Sequence, residues 1–346
     1  MKTLNIAILL IMFLQLGCQS GTGSDQVVED DKPEERKTIG SIEHLDPALQ
    51  TLVAKNAMME IMSEGYDWTE GPLWVEEHQM LLFSDIPPNT IFKWTEEEGA
   101  TLFLKPSGFT GGTDREGEPG SNGLLLDPQG RLVLCQHGDR QMARYTGSLT
   151  NPQPVYASIV STYDGKRFNS PNDGAYSPSG MLYFTDPPYG LEGNVNDPAK
   201  EIPFQGVYRV KENGEAELLI DSLSRPNGIA FSKDGRKLYV ANSDPKHAVW
   251  IEYQLDEAGI PTDGRIFYDA TSLVGQEKGL PDGLKVHSNG MILATGPGGV
   301  WIFSPSGQVL GKLKTGQATS NCALDDKEEH LYITADMFLV RLKLQN

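Results

Sequence analysis

The sequence predicts an all-β fold, a six-bladed β-propeller that follows a signal and tether segment and a short helix. One pattern recurs six times: a polar residue beside Gly or Pro, a short apolar strand, a tight turn and a second strand. The units begin roughly 40 to 55 residues apart, which is the length of a four-stranded propeller blade. The chain also has 37 Gly and 22 Pro, which favour many turns over long helices. A pair of β-sandwiches is the alternative fold.

Each unit is built around a turn whose residue types explain its shape. In Asp127-Pro-Gln-Gly130, Gly supplies the positive φ of a tight hairpin and Asp braces its own backbone. The flanking strands of about five residues are rich in Leu, Val, Tyr, Phe and Ile. The six units begin at Thr69, Ser121, Ser170, Arg225, Leu280 and Thr319.

The N-terminal residues predict export. Lys2 precedes an apolar run, Leu4 to Leu16, which is too short to span a bilayer as a helix. This run ends at Gly-Cys18, so residues 1–17 resemble a bacterial lipoprotein signal and Cys18 the lipidated residue. Residues 18–44 predict a disordered tether, because residues 19 to 40 are polar, charged and poor in aromatics. We therefore expect a lipoprotein of the cell envelope, in the periplasm or on the cell surface; simple secretion is the alternative.

Residues 45–346 are predicted to form the propeller. Leu45 to Asn56 has apolar residues at i, i+4 and an Asp-Pro start, which predicts a short leading helix. The sixth unit is short, so Met58 to Ser63 is expected to add the strand that closes the ring. A closed ring without open edges is expected to be monomeric.

Charge and cysteine content restrict the classes of function. The net charge of −18 argues against nucleic acid as a partner. Cys135 and Cys322 are predicted to be buried free thiols, although spacing alone leaves a disulfide open. Neither lies in a CxxC or a papain-like sequence, so a cysteine nucleophile is not expected.

The polar residues that start the units predict a metal site. In a propeller the inner strand of each blade begins beside the central channel, so these side chains converge. They are carboxylates and carboxamides, the oxygen donors preferred by Ca²⁺, with Mg²⁺, Mn²⁺ and Zn²⁺ as other candidates. The alternative is that each side chain only braces its own turn. The set comprises Glu70, Asn122, Asn172 with Asp173, Asn227, Asp282 and Asn321.

These motifs, taken in order, resemble the SMP-30/gluconolactonase/LRE-like family of calcium-dependent six-bladed propeller hydrolases. The resemblance extends from about Leu45 to the C-terminus. The residues that carry it are Glu70-Gly-Pro-Leu-Trp74, Ser121-Asn-Gly123, Arg167-Phe-Asn-Ser-Pro-Asn-Asp173, Phe184-Thr-Asp-Pro-Pro-Tyr-Gly190, Arg225-Pro-Asn-Gly228 and Leu280-Pro-Asp-Gly283.

The resemblance implies roles for individual residues. It implies that Asp282 is both a metal ligand and the general acid or base. His137 follows an apolar strand and is a competing base, because histidine carries protons near neutral pH; its alternative role is structural. The implied metal ligands are Glu70, Asn172, Asn227 and Asp282, and the implied substrate-binding residues are Asn122, Asn172, Asp186, Tyr189 and Arg167.

The expected reaction is hydrolysis of a sugar lactone, as in gluconolactonases. A divalent ion would polarise the lactone carbonyl, and a general base would activate water. A promiscuous esterase or organophosphate hydrolase on the same site is the alternative enzyme. A non-enzymatic, calcium-stabilised binding propeller is the other alternative, because a fold does not determine a substrate.

The Gly-rich segment Pro106 to Gly120 is predicted to be a mobile loop over the mouth of the pocket. It lacks the G-x-x-x-x-G-K-S/T sequence of a phosphate-binding loop and opens no helix. An ordinary surface loop is the alternative.

Overall fold

The computed structural model describes residues 37–113 and 115–345, and these form a six-bladed β-propeller. Each blade is an antiparallel sheet of four or five strands. The innermost strand of every blade contacts that of the next blade, and the sixth contacts the first. The predicted all-β fold and blade number are therefore confirmed.

The strands are short, as the spacing of the turn residues predicts. The first fourteen are β1 (Ser41–His44), β2 (Met59–Glu64), β3 (Thr69–Val75), β4 (Met80–Asp85), β5 (Thr90–Thr95), β6 (Gly99–Leu104), β7 (Ser121–Leu126), β8 (Leu132–Gln136), β9 (Gln141–Tyr145), β10 (Tyr156–Val160), β11 (Thr162–Tyr163), β12 (Lys166–Arg167), β13 (Gly174–Tyr176) and β14 (Leu182–Asp186).

The remaining strands are β15 (Gly206–Val210), β16 (Ala216–Ile220), β17 (Pro226–Phe231), β18 (Lys237–Asp244), β19 (His247–Leu255), β20 (Pro261–Asp269), β21 (Leu284–Val286), β22 (Ile292–Gly296), β23 (Gly299–Phe303), β24 (Val309–Lys314), β25 (Thr319–Leu324), β26 (His330–Ala335) and β27 (Phe338–Lys343). The helical segments of the described residues are short 3₁₀ turns at Pro47–Thr51, Glu76–His78, Asn194–Asn196 and Thr271–Leu273.

The blades follow one another along the chain, each running from its inner to its outer strand. They consist of β3–β6, β7–β10, β13–β16, β17–β20, β21–β24 and β25–β27. The strands β11 and β12 form a separate two-stranded hairpin between blades two and three.

An N-terminal strand closes the ring. Strand β2 pairs antiparallel with β27, so that Met59 lies opposite Leu342 and completes the sixth blade. This confirms the closing strand predicted at Met58 to Ser63. Met59 is 2% exposed, and its burial joins the two ends of the folded chain.

Two N-terminal predictions are corrected. The predicted tether extends to residue 44, but β1 pairs with β24 as a fifth strand of blade five, with Ser41 opposite Lys314. This pairing uses backbone groups of a sheet edge, and so β1 leaves little hydrophobic signal in its sequence. The predicted helix is only the 3₁₀ turn Pro47–Thr51, which begins where Asp46 Oδ1 accepts a hydrogen bond from Ala48 N.

The predicted signal (1–17), Cys18 and the tether up to residue 36 lie outside the described residues. Within the described part of the chain, no helix is long and apolar enough to cross a bilayer.

The hydrophobic core lies in layers between neighbouring blades. Between blades two and three, Phe168 packs edge-on against Phe184 and Tyr208, with ring centroids 5.1 Å apart in both pairs. Cys135 is fully buried in this layer, and Cys322 is fully buried in the layer between blades five and six. Both are free thiols, as predicted.

Close packing of the inner strands explains the Gly that follows several of the polar residues. A Cβ on Gly71 would lie 2.1 Å from the backbone oxygen of Asn122, and one on Gly228 would lie 2.1 Å from that of Asp282. Neither position has room for a side chain. The two glycines therefore let neighbouring blades approach closely enough for their polar residues to converge.

Candidate functional site

The starts of the inner strands converge on a cavity of about 400 Å³. This volume lies within the usual range of small-molecule sites, roughly 300 to 1,000 Å³. Five successive blades each contribute one of the predicted polar residues to its wall: Glu70, Asn122, Asn172, Asn227 and Asp282. The structure therefore brings all four predicted metal ligands together, along with Asn122.

Several oxygens at this cavity are buried without a hydrogen-bond donor. They include Oδ1 of Asn122, Oδ1 of Asn172 and Oδ1 of Asp282. Asp173 Oδ2, behind the wall, is also buried without a hydrogen-bond donor. Leaving such groups unpaired costs about 1–3 kcal/mol each. Because every one of them is an acceptor, a bound cation is the partner that this donor set fits.

The carboxylates also repel one another. Burial raises the pKa of Glu70 to about 8, and the negative charge of Asp173 adds to this effect. Burial and the charge of Glu70 likewise raise the pKa of Asp282 well above its ordinary value. A divalent cation would favour the charged form of both side chains, so their electrostatics agree with the pattern of unpaired oxygens.

Charged side chains alone do not account for a metal site at this cavity. Within residues 37–113 and 115–345, no group of three or more His, Cys, Asp and Glu side chains is arranged to hold a metal ion. The predicted set has two carboxylates, Glu70 and Asp282, and two carboxamides, Asn172 and Asn227. Any cation here would therefore depend on amide oxygens.

Neighbouring groups hold two of the predicted ligands in place. Asn227 donates from Nδ2 to Ser243 Oγ at 3.0 Å. Glu70 Oε2 accepts a hydrogen bond from Gly71 N at 2.9 Å. Asn321, the corresponding polar residue of the sixth unit, is not part of the cavity wall.

His137 lies behind Asn172 and is fully buried. Burial lowers its pKa to about 3, and the nearby Arg115 charge lowers it further, so the ring is neutral at neutral pH. Its Nε2 is 3.4 Å from Asn172 Nδ2, and its Nδ1 is 3.5 Å from Glu118 Oε2. A ring protonated on Nδ1 therefore accepts from the Asn172 amide, which leaves Asn172 Oδ1 for the cavity.

Two predicted substrate-binding residues lie away from the cavity wall. Asp186 is fully buried, and its carboxylate accepts hydrogen bonds from the backbone of Asn169 and Ser170, at 2.8 Å each. Arg167 is exposed on β12 and donates to the backbone oxygen of Asp139 at 2.9 Å. Both side chains hydrogen-bond to backbone groups of loops, and their substrate-binding role stays a prediction. Tyr189 does line the cavity, as predicted.

The cavity has further wall residues that the sequence did not indicate. Glu118 belongs to the loop Pro106 to Gly120, which was predicted to lie over the pocket mouth. That prediction is the one sequence feature that could have indicated Glu118 as a wall residue. Ser243 lies near the end of β18, and the others lie in connections between strands, without a repeated pattern. The additional wall residues include Trp68, Glu118, Ser243, Pro245, Glu277 and Leu280.

The sequence of this chain matches a known protein family. The family model described as the SMP-30/gluconolactonase/LRE-like region matches residues 68–336. A gluconolactonase from Zymomonas mobilis is 37% identical over 351 residues, covering 99% of this chain and 96% of that protein.

Solved structures agree with these sequence matches. A gluconolactonase from Xanthomonas campestris superposes with a TM-score of 0.76 at 29% identity, covering 91% of this chain and 99% of that one. Regucalcin from Agrobacterium tumefaciens, a calcium-binding protein, superposes with a TM-score of 0.65 at 18% identity, covering 83% and 94%. The second likeness concerns the fold alone.

Proposed function

The chain belongs to the SMP-30/gluconolactonase/LRE-like family, and from that premise we propose that it is a hydrolase that opens sugar lactones. The observation that carries the proposal is the cavity wall, where amide and carboxylate oxygens from five blades converge and three lack donors. The Zymomonas mobilis relative, similar over nearly the whole length of both chains, is a gluconolactonase.

The proposed cofactor is a divalent cation held by Glu70, Asn172, Asn227 and Asp282. Calcium is the expected ion, because the set contains only oxygen donors. When bound, such an ion supplies Lewis-acid stabilisation of the negative charge that develops on a lactone carbonyl oxygen.

We assign proton transfer to Asp282. Its carboxylate is part of the cavity wall, where one of its oxygens can accept a proton from the attacking water. The same proton can then pass to the departing ring oxygen, so that water adds across the ester bond and leaves a hydroxy acid. His137 lies outside the cavity wall, and we give it the role of orienting Asn172.

The proposal is tested by proton release from D-glucono-δ-lactone, measured above spontaneous hydrolysis, with calcium and with EDTA. We expect an excess rate that EDTA abolishes and calcium restores. Absence of any EDTA-sensitive excess would remove the metal-dependent mechanism, and absence of any excess at all would remove lactone hydrolysis. Simple aryl esters and phosphotriesters, assayed in parallel, separate a lactonase from a broad esterase.

Two variants test the assignment of the base. Asp282→Asn should lower kcat at saturating calcium by about 10² to 10⁴, the usual contribution of a general base. His137→Gln should retain more activity, because a glutamine can still accept a hydrogen bond from Asn172. The reverse order of the two activities would show that His137 carries the proton.

We also propose that the protein is exported and anchored through Cys18, with residues 18–36 as a tether and the propeller as a monomer. The support is the apolar run that ends at Gly-Cys18 in the sequence. Acyl labelling and detergent partitioning of full-length protein test this proposal. A Cys18→Ser variant that keeps both the label and the detergent partitioning contradicts it.

A further inference from the structure

Glu118 is an acidic cavity residue that the metal site does not use. It lies on the segment formed by residues 106–113 and 115–120, which we call the cavity loop. The predicted metal ligands start inner strands, whereas Glu118 reaches the same cavity from this loop. Its carboxylate therefore faces the space beside the cation site.

Side chains of two neighbouring segments hold the cavity loop. Asn89 Oδ1 accepts from Ser107 N at 2.9 Å and from Gly108 N at 2.7 Å. Asp139 Oδ2 accepts from Thr110 Oγ1 at 2.7 Å. The position of Glu118 is therefore set by several side chains outside the loop.

Arg115 makes the most direct attachment next to Glu118. Its guanidinium donates to the backbone oxygens of Gly138, at 2.7 Å, and Gly190. These two glycines belong to loops of blades two and three. One side chain thus ties the cavity loop to two blades, three residues before Glu118.

The Glu118 carboxylate can accept further hydrogen bonds. Its Oε2 lies 3.5 Å from His137 Nδ1, and 36% of the side chain is exposed. In the described parts of the chain, no lysine or arginine forms an ion pair with it. A carboxylate accepts about four hydrogen bonds, so Glu118 can receive donors from a ligand in the cavity.

We propose that Glu118 is a substrate-binding residue that accepts hydrogen bonds from the hydroxyl groups of a polyhydroxylated ring and so selects sugar lactones over unsubstituted ones. This inference rests on the proposed lactone hydrolysis and names the substrate class of that site. Burial raises the pKa of Glu118 to about 7, so the carboxylate is charged above that pH, and hydrogen bonds to a charged acceptor are stronger than neutral ones. A cavity that includes a fixed carboxylate leaves it unpaired when the ligand lacks hydroxyl groups, which lowers the affinity for such ligands.

Kinetics on two lactones of the same ring size test the inference. Glu118→Ala and Glu118→Gln are compared with wild type on D-glucono-δ-lactone and on δ-valerolactone, which has no hydroxyl groups. Glu116→Gln is the matched control, because Glu116 is exposed on the same loop and is not part of the cavity wall. Thermal unfolding in calcium checks that each variant is folded.

For the hydroxylated lactone we expect KM to rise about tenfold to a hundredfold in Glu118→Ala, which is the effect of one charged hydrogen bond. Glu118→Gln should show a smaller rise, because its amide still accepts. Neither variant should change kcat/KM for δ-valerolactone more than about threefold. Equal losses on both lactones, a loss confined to kcat, or no change on either lactone would overturn the inference.

A different result would show that the proposed lactone hydrolysis itself is wrong. If wild type hydrolyses neither lactone, the reaction is wrong, and calorimetric binding of 1,5-anhydro-D-glucitol still tests Glu118. This ring carries hydroxyl groups but no ester. Binding that weakens in Glu118→Gln supports the inference without hydrolysis, and equal binding or none by wild type contradicts it.

Discussion

Replacing Glu70 by Gln should stabilise the protein in the absence of a cation, and a bound cation should remove much of that gain. Glu70 is 2% exposed, and burial raises its pKa to about 8. Unfolded glutamate titrates near 4.3, and each pKa unit corresponds to about 1.4 kcal/mol. At pH 7 in EDTA the buried carboxyl therefore costs up to about 4 kcal/mol, which Gln avoids.

The pH dependence has a defined sign. A carboxyl whose folded pKa is raised costs nothing below its unfolded pKa, and the cost grows as pH rises from about 4 to about 8. In EDTA, Glu70→Gln should therefore become more stable than wild type across this window. For a chain of this size the gap at pH 7 is up to about 8 °C in Tm, at about 2 °C per kcal/mol.

Calcium should remove much of the advantage of the variant. At one hundred times Kd, a bound ion stabilises wild type by about 2.7 kcal/mol, or about 5 °C. Glu70→Gln loses a charged ligand and should gain little. Thermal unfolding by circular dichroism at pH 5, 6, 7 and 8, with EDTA and with calcium, measures both effects, with Glu97→Gln as the exposed control. A variant that is less stable than wild type in EDTA, or that gains as much from calcium, would refute the reasoning.

Three further predictions concern the fold. Asp127→Asn should lower the free energy of unfolding by about 1–3 kcal/mol at pH 7. Burial acts to raise the pKa of Asp127, but hydrogen bonds from Arg131 outweigh burial and lower the pKa. In denaturant titrations the difference in unfolding free energy between variant and wild type should therefore disappear as pH falls below about 4. A difference that stays constant with pH would contradict this. Cys135 and Cys322 should react with a thiol reagent only after unfolding, since both are fully buried; rapid labelling of native protein would show otherwise. Met59→Ala should cost about 2–5 kcal/mol, because it leaves a cavity where the ring closes; a cost below 1 kcal/mol in the same titration would show that this contact is dispensable.

The repeat pattern made the propeller predictable. Six units with the same order of polar start, strand, turn and strand can bury their apolar faces only by stacking against one another. The closing strand near Met59 followed from the short sixth unit. Strand β1 was missed because it adds to the edge of blade five through backbone pairing, which requires no particular side chains.

The site was predictable only where it coincides with the repeat. Glu70, Asn227 and Asp282 occupy equivalent places in their units, so their convergence follows from ring symmetry. Asp186 and Arg167 lie near such places in the sequence, yet their side chains turn away to bonds with backbone groups. Which way a side chain points depends on partners that come from other loops.

The sequence by itself determined the class of fold, the set of converging oxygens and the burial of the two thiols, because these depend on local residue types and their period. Only the tertiary structure decided which oxygens lack donors, that His137 stands behind Asn172, and that Glu118 reaches the cavity. The physical reason is distance along the chain: these contacts join segments from different blades, and only the closed ring brings them within hydrogen-bonding range.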